Sequence, residues 1–252
     1  MAAVARIGDL TDRAFAGDPT GDAAFGALGL LLTEVAIPRA VIDDIVAGFE
    51  LDAADWRPRS EADLLRYCYH VAGAVGVAMA LVMGVDPADE TTLDRASDLG
   101  IAFQLANIAR DIAEDAAADR CYLPVDWLVE LDIPPGQHMH PAFRPRLAVM
   151  AKWLAEMAGE YEASARWGAR KLPPRSRWAV LAAAGIYGDI ARAVRRRGDH
   201  AWDHRTATTR AAKFGWVARA GWSVLRRPPL RRIARDGLWT RPRFAGDAEA
   251  AQ

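Results

Sequence analysis

The chain has 252 residues, 52% of them apolar and 26% charged, which is enough to bury a sizeable core at the upper edge of what one domain usually holds. A formal net charge of −1 argues against a general nucleic-acid binder, but the charge is uneven. Arg192 to Arg243 carries fifteen Arg or Lys against three Asp, a net of +12 that leaves −13 on the remainder, so this end suits phosphate, peripheral contact with an anionic membrane, or a solvated face answering an acidic body.

Proline and glycine punctuate the chain into helical segments, and no alternation long enough for a strand is present, so the expected class is all-α. The N-terminus lacks the basic-then-apolar order of a signal peptide, and a cytoplasmic location is expected, at most peripheral at the inner face of the plasma membrane. A first helix over 3–16 stops at Gly17-Asp18-Pro19; Asp22 caps a second over 23–35, which Pro38 ends; a third covers 39–55. Asp43, Asp44, Asp52 and Asp55 read there as a mostly solvated face. Ser60-x-x-Asp63 caps a helix that runs through 83 and is apolar on every side, hence central. Its glycines signal close approach, either of a neighbouring helix or of a long apolar ligand. The run 71–85 falls short of the ~18–20 residues of a bilayer span. Neither Cys68 nor Cys121 has the spacing of a zinc site or a disulfide framework, which fits a reducing compartment.

Asp86-Pro87 breaks the chain, and the next helix restarts at Thr91 or Thr92 and continues to about Asp119. At 100° per residue it brings Gln104, Asn107, Asp111 and Asp115 into one narrow arc, with Ser97 and Gly100 extending the stripe with small side chains. Two aspartates four residues apart repel, by roughly 0.2–0.5 kcal/mol in an isolated helix, so something positive is expected between them. A divalent cation held by carboxylates, water and substrate phosphate is one candidate; pairing of solvated acids with Arg110 or Arg120 is the other. Beyond lie a short helix near Trp127, an irregular stretch over 131–145, a long helix over 146–171 with Leu147, Met150, Leu154, Met157, Tyr161 and Ser164 in near-heptad spacing, and a helix over 175–196. Residues 1–235 form a single domain on this reading, and 236–252 a peripheral or disordered tail.

Three strings carry a resemblance. Gln104-x-x-Asn107-Ile108-x-Arg110-Asp111-x-x-Glu114-Asp115, followed by Arg120-x-Tyr122-Leu123-Pro124, resembles the second aspartate-rich motif of the squalene/phytoene synthases, the head-to-head prenyl-diphosphate synthases. Tyr67-x-x-x-Val71-Ala72-Gly73-x-Val75-Gly76 is similar to their other motif, and Ala182-Ala183-x-x-Ile186-Tyr187-x-x-Ile190 to a later segment. The resemblance implies an isoprenoid-synthase-type helical bundle around a central cavity and the coupling of two prenyl diphosphates through a cyclopropyl intermediate. It implies that Asp111 and Asp115, with Asn107, bind Mg²⁺ or Mn²⁺; that Gln104, Arg110 and Arg120 hold phosphate or metal-bound water; and that Tyr67 stands near the reacting carbons. Val71, Ala72, Val75, Gly76 and Tyr187 would line the prenyl tunnel.

The family's first aspartate-rich motif, D-x-x-x-D with its arginine, would lie upstream of Met1, and the one pair with that spacing, Asp18 and Asp22, is broken by Gly17, Pro19 and Gly21. The expectation is therefore a phytoene-synthase-like chain making phytoene from geranylgeranyl diphosphate, N-terminally incomplete, or one completed by an upstream polypeptide. A squalene or dehydrosqualene synthase using farnesyl diphosphate, and a non-catalytic assembly factor of the same fold, are the alternatives. Retention of both aspartates weighs against the last.

Overall fold

The computed structural model describes residues 2–226 and 233–244, and no strand occurs among them. The order is α1 (Ala2–Ala16), α2 (Ala23–Glu34), α3 (Arg39–Ala53), α4 (Glu61–Cys68), a π turn (Tyr69–Gly73), α5 (Ala74–Val82), α6 (Glu90–Ala117), α7 (Val125–Glu130), α8 (Arg144–Gly168), α9 (Pro174–Arg197) and α10 (Arg210–Arg226), with short 3-10 turns at 141–143, 169–171 and 198–200. The capping chemistry agrees with the sequence reading: Asp22 accepts from the Ala24 N–H and Ser60 from that of Asp63.

α6 is the central post. Leu93, Ile101, Leu105, Ile108 and Ile112 of α6 are buried, and its main partner is α8, whose Leu147, Met150, Leu154, Tyr161 and Ser164 bury the stripe that the near-heptad spacing predicts. Each aliphatic side chain fully withdrawn from water contributes about 1.5–3 kcal/mol, so this seam dominates the stability of the bundle. α5 and the π turn cover a second side of α6, α9 a third, and α10 packs on α9.

The expected single helix over 60–83 is continuous but widened in the middle by the π turn at Tyr69–Gly73. The extra residue in that turn changes the helical phase from there to Val82, so Tyr67 and Val71 do not share the face that 100° spacing assigns them. Close approach explains the glycines: a Cβ on Gly76 would overlap the carbonyl oxygen of Ala96, and one on Gly100 that of Ala72. Packing and ligand space are not exclusive, because Gly76 and Gly100 also line an apolar cavity beside α6. Gly100→Ala forces the π turn and α6 apart and is expected to destabilise the protein by about 1–3 kcal/mol, read as a lower midpoint in urea unfolding. An unchanged midpoint would show that the helix pair is not rigid here.

Three expectations need correction. Asp44 and Asp52 are not merely solvated: Asp44 accepts from the Tyr69 hydroxyl and its backbone carbonyl meets His70 Nδ1 at 3.0 Å, while Asp52 accepts from the hydroxyls of Tyr67 at 2.8 Å and Tyr122 at 3.1 Å. α10 is a helix that the sequence reading does not place, because its apolar residues fall on two sides, Trp216, Ala220 and Val224 toward α9 and Phe214, Trp222 and Leu225 outward, and so give no single stripe. Residues 236–244, expected to be a peripheral tail, fold back on α6: Trp239 packs on Tyr69 and Arg241 is only 2% exposed. Residues 245–252 and Pro228-Pro229 lie outside the described residues. The run Glu61–Val82 is, by length and composition, long and apolar enough to cross a membrane, but half of its most apolar stretch is buried against the rest of the bundle, as befits a core helix.

Candidate active site

An apolar cavity of about 500 Å³ lies between α5, α6 and α9. Val71, Ala72, Val75, Gly76 and Met79 form one wall, Ala179, Val180, Ala183 and Tyr187 the facing one, and Leu99, Gly100, Phe103, Gln104 and Asn107 of α6 the floor. Every tunnel residue implied by the motifs (Val71, Ala72, Val75, Gly76 and Tyr187) therefore lines one space, as do Gln104 and Asn107. Tyr187 stacks on Phe103 with ring centroids 4.1 Å apart, which fixes an aromatic surface across the cavity.

The α6 stripe runs from this floor to Asp111 and Asp115, which lie beyond it. Arg110 grips Asp111 through both ends of its guanidinium, with Nε to Oδ1 at 2.7 Å, and Arg205, from the loop before α10, reaches the same carboxylate at 3.2 Å. Burial pushes the Asp111 carboxyl up, but these two arginines outweigh it and hold the group below the ordinary range. Asp115 is different. Burial and then the charge of Asp111 push it up to about 6, and Arg120, beside it in a small recess, only partly offsets them. Of the two sequence readings, Arg110 does pair with Asp111, yet Asp115 keeps a surplus of negative charge.

Fit to a divalent cation can be judged from the donors alone. Two carboxylates and the buried Oδ1 of Asn107, which has no hydrogen-bond partner, are hard oxygen donors on one helix face, the set that Mg²⁺ takes when phosphate and water complete its shell. No group of three or more His, Cys, Asp or Glu among the described residues could hold a metal without such help. The residues thus fit a cation that arrives with a diphosphate.

Tyr67 departs from its implied position. It is 3% exposed, stacked between Trp56 and Tyr122, and its hydroxyl is bound to Asp52, so it lies outside the cavity lining on the Asp115–Arg120 side. Burial, with the hydrogen bonds to Tyr122 and Asp52, raises its phenol far above the usual range and keeps it neutral. Tyr67→Phe leaves Asp52 with Tyr122 alone and is expected to cost about 1–3 kcal/mol in thermal unfolding; no loss would mean that Asp52 is solvated despite the contact.

Residues that the sequence reading misses include Arg95 and Arg205. Arg95 is 5% exposed, lies against the cavity, donates to Ser164 at 3.0 Å and has its guanidinium 4.4 Å from the Trp167 ring. Nothing in local spacing marks it, because its partners are on α8 and at Ile233, far away in sequence. Arg205 falls in the basic stretch that sequence flags in bulk, without singling out the one guanidinium that reaches Asp111.

Comparisons with known proteins agree with this geometry. A family described as squalene/phytoene synthase matches residues 1–213. A phytoene synthase of Pseudescherichia vulneris is 44% identical over 95% of this chain and 77% of its own length, and a 15-cis-phytoene synthase of a Paracoccus strain is 44% identical over 92% and 75%. Among solved structures, a dehydrosqualene synthase in complex with ligand superposes with a TM-score of 0.81 at 24% identity, covering 90% of this chain and 80% of that one. Such a low identity speaks for the shared fold; the membership rests on the sequence matches, and the chain belongs to the squalene/phytoene synthase family, on its phytoene synthase branch.

Proposed function

We propose that the α5–α6–α9 cavity and the Asp111–Asp115 end of α6 together couple two geranylgeranyl diphosphates head to head, through a cyclopropyl diphosphate, to phytoene. One observation carries the reading: an apolar cavity whose floor continues, along a single helix face, into paired carboxylates with arginines gathered around them. A substrate with a long hydrocarbon tail and a diphosphate head needs that sequence of surfaces.

Mg²⁺, for which Mn²⁺ could substitute, would be held by Asp111, Asp115 and the Asn107 amide oxygen, and when bound supplies positive charge to a leaving diphosphate. The guanidiniums of Arg110, Arg205 and Arg120 add fixed positive charge around the same end, with a planar fork that matches phosphate oxygens. Gln104 orients polar atoms at the boundary between head and tail. Val71, Ala72, Val75, Gly76 and the Phe103–Tyr187 pair exclude water from the cationic carbon that ionisation leaves, and the faces of the two rings favour positive charge. Tyr67 acts from outside as a positioning residue, holding Asp52 on the Asp115–Arg120 side.

Thermal unfolding with geranylgeranyl thiodiphosphate tests the reading: protection should require both the analogue and Mg²⁺. Absence of any shift at saturating analogue and metal would overturn it. Product analysis with geranylgeranyl and farnesyl diphosphates, each with and without an added polypeptide carrying a D-x-x-x-D helix, separates phytoene from dehydrosqualene and a self-sufficient chain from a completed one.

A further inference from the structure

We propose that the outward face of α10 is a docking surface for an anionic lipid bilayer. α10 turns Trp216, Ala220 and Val224 toward α9, where Ala220 and Val224 pack with Leu181 and Ala182 and the Trp216 ring fills the space over Gly185. The opposite side is left to solvent. Phe214 is 76% exposed, Trp222 58% and Leu225 80%, and at 100° per residue these three and Ala218 share one arc of about 80°. Arg210, Arg219 and Arg226 lie to either side of that arc, Lys213 is exposed farther round toward α9, and the helix contains no acidic residue.

This arrangement inverts that of an ordinary surface helix, which shows its polar face to water. An exposed apolar stripe costs solubility and needs a cover. A bilayer with anionic headgroups covers both parts at once: acyl chains receive Phe214, Trp222 and Leu225, and phosphates meet the cations at the stripe's edges. The side chains are suited to that depth. Trp222 lies with its ring 4.3 Å from the Arg226 guanidinium, an aromatic–cation pair at the level of a headgroup. A second copy of this chain fits worse, because two α10 faces brought together would set three cations against three.

The surface has a defined relation to the cavity. α9 gives Ala179, Val180, Ala183 and Tyr187 to the cavity, and Leu181, Ala182 and Gly185, on its other side, to α10. Docking through α10 therefore holds the apolar cavity one helix away from the lipid. That matters for any substrate or product dominated by hydrocarbon, although the surface itself does not depend on which prenyl chemistry the cavity performs.

The test is cosedimentation of the full chain with vesicles of phosphatidylcholine alone and of equal parts phosphatidylcholine and phosphatidylglycerol. Binding should favour the anionic vesicles, fall with added salt, and shift tryptophan emission to the blue. Phe214→Glu with Leu225→Glu should lower the bound fraction about tenfold or more, and Arg210→Gln with Arg226→Gln should weaken the preference for phosphatidylglycerol. Circular dichroism of each variant checks that the helix content is kept. Equal binding of parent and Phe214→Glu/Leu225→Glu protein, or equal binding to both vesicle types, overturns the proposal. So does a lipid-free dimer in analytical ultracentrifugation that the glutamate pair dissociates, since it would assign the face to a second copy.

Discussion

Asp115→Asn raises the unfolding midpoint of the metal-free protein and, in the same molecule, removes turnover. Its carboxyl is pushed up to about 6 from an ordinary 3.8, first by burial and then by Asp111, so ionising it opposes folding. Between those two pH values the folded chain holds a proton that the unfolded chain has lost, and stability falls as pH rises through the window. Above pH 6 the penalty is complete. The asparagine removes it, so the gain is present at pH 7–8 and disappears below about pH 4, where aspartate is protonated in both states. For a domain of this size each kcal/mol relieved moves the midpoint by about 2–4 °C. Turnover of geranylgeranyl diphosphate should drop by about 10²–10³-fold, the usual loss when charge is withdrawn from a developing leaving group. Asp111→Asn supplies the contrast. Arg110 and Arg205 hold that carboxyl below its ordinary range, so it stabilises the fold at neutral pH and the effect fades as pH falls. Its asparagine should lower the midpoint and lose turnover too. If both substitutions lower the midpoint, Asp115 is an ordinary ion-pair partner, and full activity in either variant sinks the assigned role.

How much of the fold and the site is legible in sequence depends on where each residue's partners are. The α6 face from Gln104 to Asp115 is readable because helical periodicity alone aligns it, and the cavity wall at Val71, Ala72, Val75 and Gly76 because a motif names it. Tyr67 is misplaced for a local reason that sequence does not display: a single extra residue in the turn at Tyr69–Gly73 changes the phase between the tyrosine and the wall. Asp52 reads as solvated because its partners, Tyr67 and Tyr122, are 15 and 70 residues away. Charge asymmetry is visible in bulk, and one of its readings, a basic end answering an acidic body, holds in part. Composition does not supply the pairs. Glu90, Asp94 and Asp98 repeat at i,i+4 on α6, a stripe open to inspection, but nothing local says that Arg235, Arg241 and Arg243 return across some 140 residues to meet it.

Arg235→Ala should be the most damaging single change to stability, at about 3–5 kcal/mol. The Asp98 side chain is 0% exposed, and Arg235 meets both of its oxygens at 2.8 Å, with Asp94 at 3.4 Å and the Trp239 carbonyl at 3.0 Å on the same guanidinium. Ser164 gives Asp98 one further hydrogen bond. Without the arginine a fully buried carboxylate keeps only that hydroxyl, and burial drives it toward the protonated form. The damage spreads because the pair pins 233–244 to the bundle. Trp239 packs on Tyr69 in the π turn and donates its N–H to Tyr161 of α8, and Arg95, which lines the cavity, donates to the carbonyl of Ile233 at 2.7 Å. Losing the anchor therefore loosens the N-terminal half of α6, which carries Leu99, Gly100 and Phe103 of the cavity floor. A double-mutant cycle separates the pair's own contribution from the cost of stranding one partner: Asp98→Leu with Arg235→Met should recover most of the stability, because a matched apolar pair avoids the desolvation penalty altogether. Urea denaturation reads both. If Arg235→Ala unfolds at the parent's midpoint, the segment is not an anchor, and if the double substitution is as unstable as the single one, the loss comes from packing of the C-terminal segment and not from the buried charge.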